Sequence, residues 1–192
     1  MTTCAWGTDQ GIGWKAAAWA LTFALFAAAS LAGQVSREYD VKAAFLLNFA
    51  TFVEWPPEVF AHADSPFVIG VMGNDPFGRT LDEMVSGERV KERPLVVYRL
   101  DRLEDMHRCH ILFISASEAK RVKAILRRLQ GQPVLTVADL PGFTEQGGGI
   151  GFTTATRVAL VINPVVLRAA GLRISSKLLR LAQVIQEGAT AP

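Results

Sequence analysis

The sequence lacks most of what catalysis, metal binding or nucleic-acid binding would require. Its 192 residues include two cysteines, Cys4 and Cys109, and three histidines, His62, His107 and His110, with no zinc-type spacing among them. His107-x-Cys109-His110 holds thiol and imidazole together but offers no fourth ligand, so neither a metal nor a Cys/His nucleophile is expected. Excess charge of one sign is lacking too. Twenty Lys and Arg against 18 Asp and Glu give a net charge of +2, too balanced for a nucleic-acid partner or an anionic membrane surface. No phosphate loop occurs, Gly70-x-x-Gly73 followed by Gly78 is not the dinucleotide spacing, and no Ser stands in a nucleophile elbow. The acid pairs Asp82/Glu83 and Glu104/Asp105 are adjacent in sequence, which on a helix turns them about 100° apart. No catalytic residue and no cofactor is therefore expected.

What is present begins at the N-terminus. Lys15 precedes an uncharged Leu/Phe/Ala-rich run, Ala16–Gly33, that ends in the small residues Ser30-Leu31-Ala32. A cation, an apolar stretch and small side chains one and three residues before a cut describe a secretory signal peptide over 1–33, cleaved near Ala32. An uncleaved anchor is the alternative, since the run approaches bilayer-spanning length. Gln34 stands where an acylated Cys would be needed, so a lipoprotein is not expected. Residues 34–192 form one domain of about 160 residues, long enough for a proper core. Loss of Lys15 and Asp9 with the signal leaves its charge at +2. Cys109 then has no partner for a disulfide and opens an apolar run, which makes it a small buried hydrophobe or, after export, a free redox thiol.

Along the mature chain, Val41, Ala44, Phe45, Asn48, Phe49 and Phe52 fall on one stripe of a 3.6-residue period, predicting a helix from Ser36 to about Val53 that stops at Trp55-Pro56-Pro57. Phe67–Met72 reads as a strand covered on both faces. Asp75 is a candidate N-cap for a short helix to Val85, with Pro76 as its first residue. Pro94–Leu100, His110–Ser115 and Val134–Val137 read as further strands, and Ser117 as the cap of a helix over Glu118–Leu129. Ile150–Thr153 and Arg157–Ile162 suggest an antiparallel hairpin, Asn163-Pro164 opens a short helix ended by Gly171, and Ser175–Gln186 reads as a last amphipathic helix. The expected fold is α/β: a single three-layer domain with a mainly parallel twisted sheet, an antiparallel edge hairpin and helices on both faces.

Two groups of residues could bind something. Loops at the carboxyl ends of parallel strands line a crevice, where Asn74, Asp75, Ser115, Ser117 and Asp139 would gather, as a small-ligand site or simply as caps. The first helix is also rich in aromatic residues, and Tyr39 and Trp55 are candidates to remain exposed as anchors for a protein partner.

Tyr39-Asp40-Val41-Lys42-Ala43-Ala44-Phe45-Leu46-Leu47-Asn48-Phe49, continuing to Phe52-Val53-Glu54-Trp55-Pro56, resembles the opening signature of the YfiR-like periplasmic proteins. Asn163 through Ala170-Gly171-Leu172-Arg173-Ile174-Ser175-Ser176-Lys177-Leu178-Leu179 resembles their closing signature, with Gly142-Phe143 and Gly147-Gly148-Gly149 between. The resemblance implies a periplasmic domain that binds the sensor region of an inner-membrane diguanylate cyclase and represses it, lowering cyclic-di-GMP and opposing biofilm formation. It places the contact surface near the two signatures, at Glu38, Tyr39, Lys42, Trp55, Ile174, Ser176 and Lys177, and leaves self-association into a homo-oligomer open. Two departures stand out. Some relatives carry disulfide-forming cysteine pairs that Cys109 cannot supply, and Gly149-Ile150-Gly151-Phe152 is richer in glycine than the usual strand.

Overall fold

The computed structural model describes residues 37–154, 157–180 and 182–184. The expected signal peptide, its cleavage point and Cys4 lie outside them, as does the end of the last expected helix. The chain divides into two compact units, Met1–Glu38 and Tyr39–Pro192. Of the first, only Arg37 and Glu38 are described, both helical.

The chain enters on a helix described over 37–52 (α1), followed by the short strand β1 (Val53–Glu54) and a 3-10 turn over Pro57–Val59. Next come β2 (Phe67–Met72), α2 (Arg79–Val85), β3 (Arg89–Val90), β4 (Arg93–Leu100) and β5 (Ile111–Ile114). Then follow α3 (Val122–Leu129), β6 (Leu135–Ala138), β7 (Ile150–Thr154), β8 (Val158–Ile162), α4 (Pro164–Ala169), β9 (Arg173–Ile174), α5 (Ser176–Arg180) and β10 (Ala182–Val184). Among the described residues, eight strands form one sheet in the order β10-β8-β7-β6-β5-β2-β4-β3. It is parallel except at β3–β4 and β7–β8. All six residues of β2 are buried, as a central strand covered on both faces requires.

Helices cover both faces, as the sequence predicts. On one face α1, α2, α4 and α5 bury Leu46, Phe49, Leu81, Leu167 and Leu178 against Phe67, Ile69 and Val71. On the other, α3 packs Val122, Ile125 and Leu129 against Val68, Met72 and Leu112. Each such large side chain contributes about 1.5–3 kcal/mol relative to exposure.

Four details differ from expectation. The buried stripe of α1 is Lys42, Ala43, Leu46, Phe49 and Ala50, while Val41, Ala44 and Asn48 face outward. The last helix stops at Arg180, and β10 pairs in parallel with β8, so the β7–β8 hairpin lies one strand in from the sheet's edge. α2 begins at Arg79 rather than Pro76, because Asp75 Oδ1 accepts from Phe77 N–H (2.8 Å) in a local turn. α3 begins at Val122, and the Ser117 hydroxyl instead accepts from Asn74 N–H (2.9 Å). α4 follows its sequence signals. Asn163 Oδ1 accepts from Val166 N–H (3.2 Å), and Gly171 at φ 72° closes the helix with Leu172 N–H on the Leu167 carbonyl (2.9 Å). One glycine before β7 has a packing reason. A Cβ on Gly148 would overlap the Phe143 ring, so glycine lets the 139–149 loop lie flat on the sheet.

Candidate functional site

The two sequence signatures meet in space. β1 and β9 form a separate antiparallel ladder, Val53 opposite Ile174 and Glu54 opposite Arg173. Ser175 N–H extends it by donating to the Phe52 carbonyl (2.9 Å), and Arg173 Nη2 reaches Glu54 Oε2 at 3.0 Å. Ser175 also caps α5, its hydroxyl accepting from Leu178 N–H at 3.4 Å. That leaves Ser176 and Lys177 exposed and Ile174 half-buried beside them.

Trp55 continues this junction inward. Its indole N–H donates to the His110 carbonyl (3.2 Å), and its ring stands edge-on to Phe67 at 4.8 Å. His110 is stacked between Phe60 and Phe67, with centroids 4.5 and 4.7 Å away, and the Arg93 guanidinium caps the stack over Phe60 at 3.8 Å. Val68 N–H donates to His110 Nδ1 (3.0 Å), which leaves Nε2 to carry the proton of the neutral ring. Burial, aided by the Arg93 charge, pushes the imidazole down to about 4. His110 is thus a neutral packing residue. Trp55, Phe60, Phe67 and Arg93 line a cavity of about 240 Å³ that opens between α1 and the β3–β4 turn.

Lys42 and Tyr39 do not join this surface. Lys42 is fully buried and paired with Asp139, so it cannot be a direct surface contact. The Tyr39 hydroxyl donates to the same carboxylate at 3.2 Å, and the ammonium lies 4.5 Å from the Tyr39 ring centroid. Asp139 follows β6, so this centre ties the start of α1 to the carboxyl end of the sheet. Ten residues of helix, about 15 Å, separate Lys42 from Phe52 at the other end of α1. The seven candidates for the partner surface therefore divide. Ile174, Ser176 and Lys177 lie at one end of the β1–β9 ladder and Trp55 at the other, Tyr39 and Lys42 belong to the strand ends, and Glu38 is half-buried on α1.

The five strand-end residues lie on neighbouring loops, and the side chains of Asp75, Ser117 and Asp139 are engaged within the fold. Ser117 holds Asn74, and Ser115 N–H donates to the Met72 carbonyl at 3.0 Å. Asp75 Oδ2 pairs with Arg99 at 2.9 Å, while Arg99 Nη2 also bonds Asp82 Oδ2 at 2.8 Å. Asp139 is taken by Lys42 and Tyr39. This engagement gives Asp75, Ser117 and Asp139 structural roles at the strand ends.

Cys109 is buried against Gly70, whose missing side chain gives its sulfur room. Burial, with a smaller effect from Asp105, pushes the thiol up to about 12, so it stays protonated and unreactive. Among the described residues no group of three or more His, Cys, Asp or Glu could hold a metal ion.

The decisive comparison concerns the whole of this arrangement. A family model described as YfiR/HmsC-like matches residues 39–183, which include both signatures and the sheet between them. The chain belongs to the YfiR/HmsC-like family. The family is periplasmic, regulatory and not known for enzymes, and it is associated with the control of diguanylate cyclases through an interaction with a periplasmic partner. No helix among the described residues of this YfiR/HmsC-like chain is long and apolar enough to cross a membrane. No curated protein matches it. Among solved structures it is similar to an ABC domain in complex with L-Trp from Streptococcus pneumoniae, at 12% identity and a TM-score of 0.47, covering 62% of this chain and 55% of that one. It is also similar to a conserved domain protein from Vibrio cholerae, at 14% identity and a TM-score of 0.42, covering 62% and 54%. This chain thus spans about half the length of each, and likenesses so loose carry no inference.

Proposed function

We propose that this YfiR/HmsC-like protein represses an inner-membrane diguanylate cyclase by binding its periplasmic sensor region through the β1–β9 junction. Residues 1–33 direct its export, and residues 34–192 are the working domain. One observation carries the reading. Segments that lie more than a hundred residues apart, and that hold the two signatures, pair as a ladder, with the exposed Ser176 and Lys177 following Ile174 at one end and the half-buried Trp55 at the other. Fold stability explains the buried members of these signatures, Leu46, Phe49, Leu172 and Leu178.

Repression by binding is a population shift. A binder that prefers the inactive state of its target lowers cyclic-di-GMP by that difference in affinity, and turning a 1:99 balance into 99:1 needs about a 10⁴-fold preference. The protein needs no nucleotide site for this. The test is co-purification of the tagged, exported protein from gently solubilised membranes of its host, with mass spectrometry of the bound proteins. Recovery of a membrane-bound diguanylate cyclase, lost on Lys177→Glu, supports the reading. Recovery of no such cyclase, or of one held equally by wild type and variant, overturns it.

A further inference from the structure

A second surface lies between α3 and α4, which cover opposite faces of the sheet. A half-open groove of about 580 Å³ runs there, floored by Leu126, Val134, Val166 and Ala170. Val165, on its α4 wall, is one of the few large apolar side chains among the described residues left widely exposed, at 44%. The α3 wall is formed by Lys123 and Arg127, with Arg127 Nε–H lying along the helix on the Lys123 carbonyl (3.3 Å). Among the described residues no carboxylate lines the groove. Two other cations on and before α3 face acids, Arg121 pairing with Glu118 at 3.1 Å and Arg128 with Glu104 at 3.7 Å. Lys123 and Arg127 are instead turned toward the apolar trough.

We infer that this groove docks an acidic amphipathic helix of a partner protein, at a site distinct from the β1–β9 junction. Charge complementarity selects the occupant. Two cations beside an apolar floor fit a segment that carries apolar residues on one face and carboxylates on its flank. Length limits it, since α3 has eight residues and spans about 12 Å, enough for roughly two turns of a docked helix. The half-open form suits a helix laid into a trough better than a small molecule, which a binding site normally encloses on most sides. The inference does not depend on the identity of the cyclase.

The test uses the whole purified protein and three synthetic 14-residue peptides. One has Leu at i, i+3, i+4 and i+7 with Glu flanks, one has the same apolar face with Lys flanks, and one is a scramble of the first. Amide chemical shifts and fluorescence anisotropy report where and how tightly each binds. The acidic peptide is expected to bind with shifts centred on α3 and α4, and the other two to bind at least about tenfold more weakly. Lys123→Glu with Arg127→Glu, or Val165→Asp, should weaken the acidic peptide about tenfold, while Lys177→Glu leaves it unchanged. All four positions are exposed, so these variants keep the fold, which their unshifted remaining resonances would verify. Equal binding of all three peptides, or indifference to the groove variants, would overturn the inference. Occupation of the groove by decanoate in preference to the peptide would do so too, as would a dimer in sedimentation that Val165→Asp dissociates.

Discussion

Opposite losses at the Lys42–Asp139 centre should have unequal costs, because the two partners differ in access to water. Lys42 is 0% exposed and Asp139 is 26% exposed. Asp139→Asn takes the carboxylate from a fully enclosed ammonium, and breaking a buried pair in this way costs about 3–5 kcal/mol. Lys42→Met leaves a carboxylate that still accepts from the Tyr39 hydroxyl and can rehydrate at its open edge, so the cost falls to about 1–3 kcal/mol. Lys42→Met with Asp139→Leu removes both charges and should lie nearer the wild type than Asp139→Asn does, because apolar replacement of a buried pair is often neutral. Urea unfolding followed by circular dichroism gives the three stabilities, and the double-mutant cycle gives the coupling. If Lys42→Met proves the more damaging single change, or if both singles lie within about 0.5 kcal/mol of wild type, the ion pair does not hold α1 to the sheet as described.

Three further outcomes follow from the core. With the His110 pKa near 4 in the fold and about 6.5 unfolded, the unfolded chain binds the extra proton, so this contribution is full above pH 6.5 and lost as pH falls toward 4. NMR titration should show a His110 midpoint near 4 and unfolding about 2–3 kcal/mol easier at the low end, and a midpoint near 6.5 would contradict the buried stack. Cys109 should resist alkylation at pH 8 in the native protein and react once urea unfolds it, whereas prompt native labelling would show the thiol to be accessible. Gly148→Ala should cost about 1–3 kcal/mol through overlap with Phe143, read as a lower urea midpoint, and an unchanged midpoint would mean that the loop moves freely away.

Much of the sheet was legible in the sequence because its signals are local. β2 matches its apolar run, Phe67–Met72, residue for residue, since burial on both faces needs no knowledge of the neighbours. Asn163-Pro164 and Gly171 bound α4 for the same reason, their backbone requirements being their own. Sequence and structure differ where a distant residue decides. Lys42 made the true stripe of α1 look polar, because its counter-charge lies 97 residues away. The pattern after Ser175 fits a helix as well as a strand, and the open edge of β8 draws Ala182–Val184 into the sheet. At the site, the aromatic signature pointed to Trp55, but the β1–β9 pairing and the His110 stack arise only from tertiary contact. The groove between α3 and α4 carried no motif at all, and the basic face of α3 was its sole trace in the sequence.

Intracellular cyclic-di-GMP tests the central claim most directly. It would be measured in a host lacking this protein and complemented with wild type, Lys177→Glu or Ile174→Asp, with export and abundance matched by immunoblot. The account predicts a rise in the deletion, restoration by wild type and failure of restoration by either variant. Full restoration by both variants, or no rise in the deletion, would contradict a repressor that works through the β1–β9 junction.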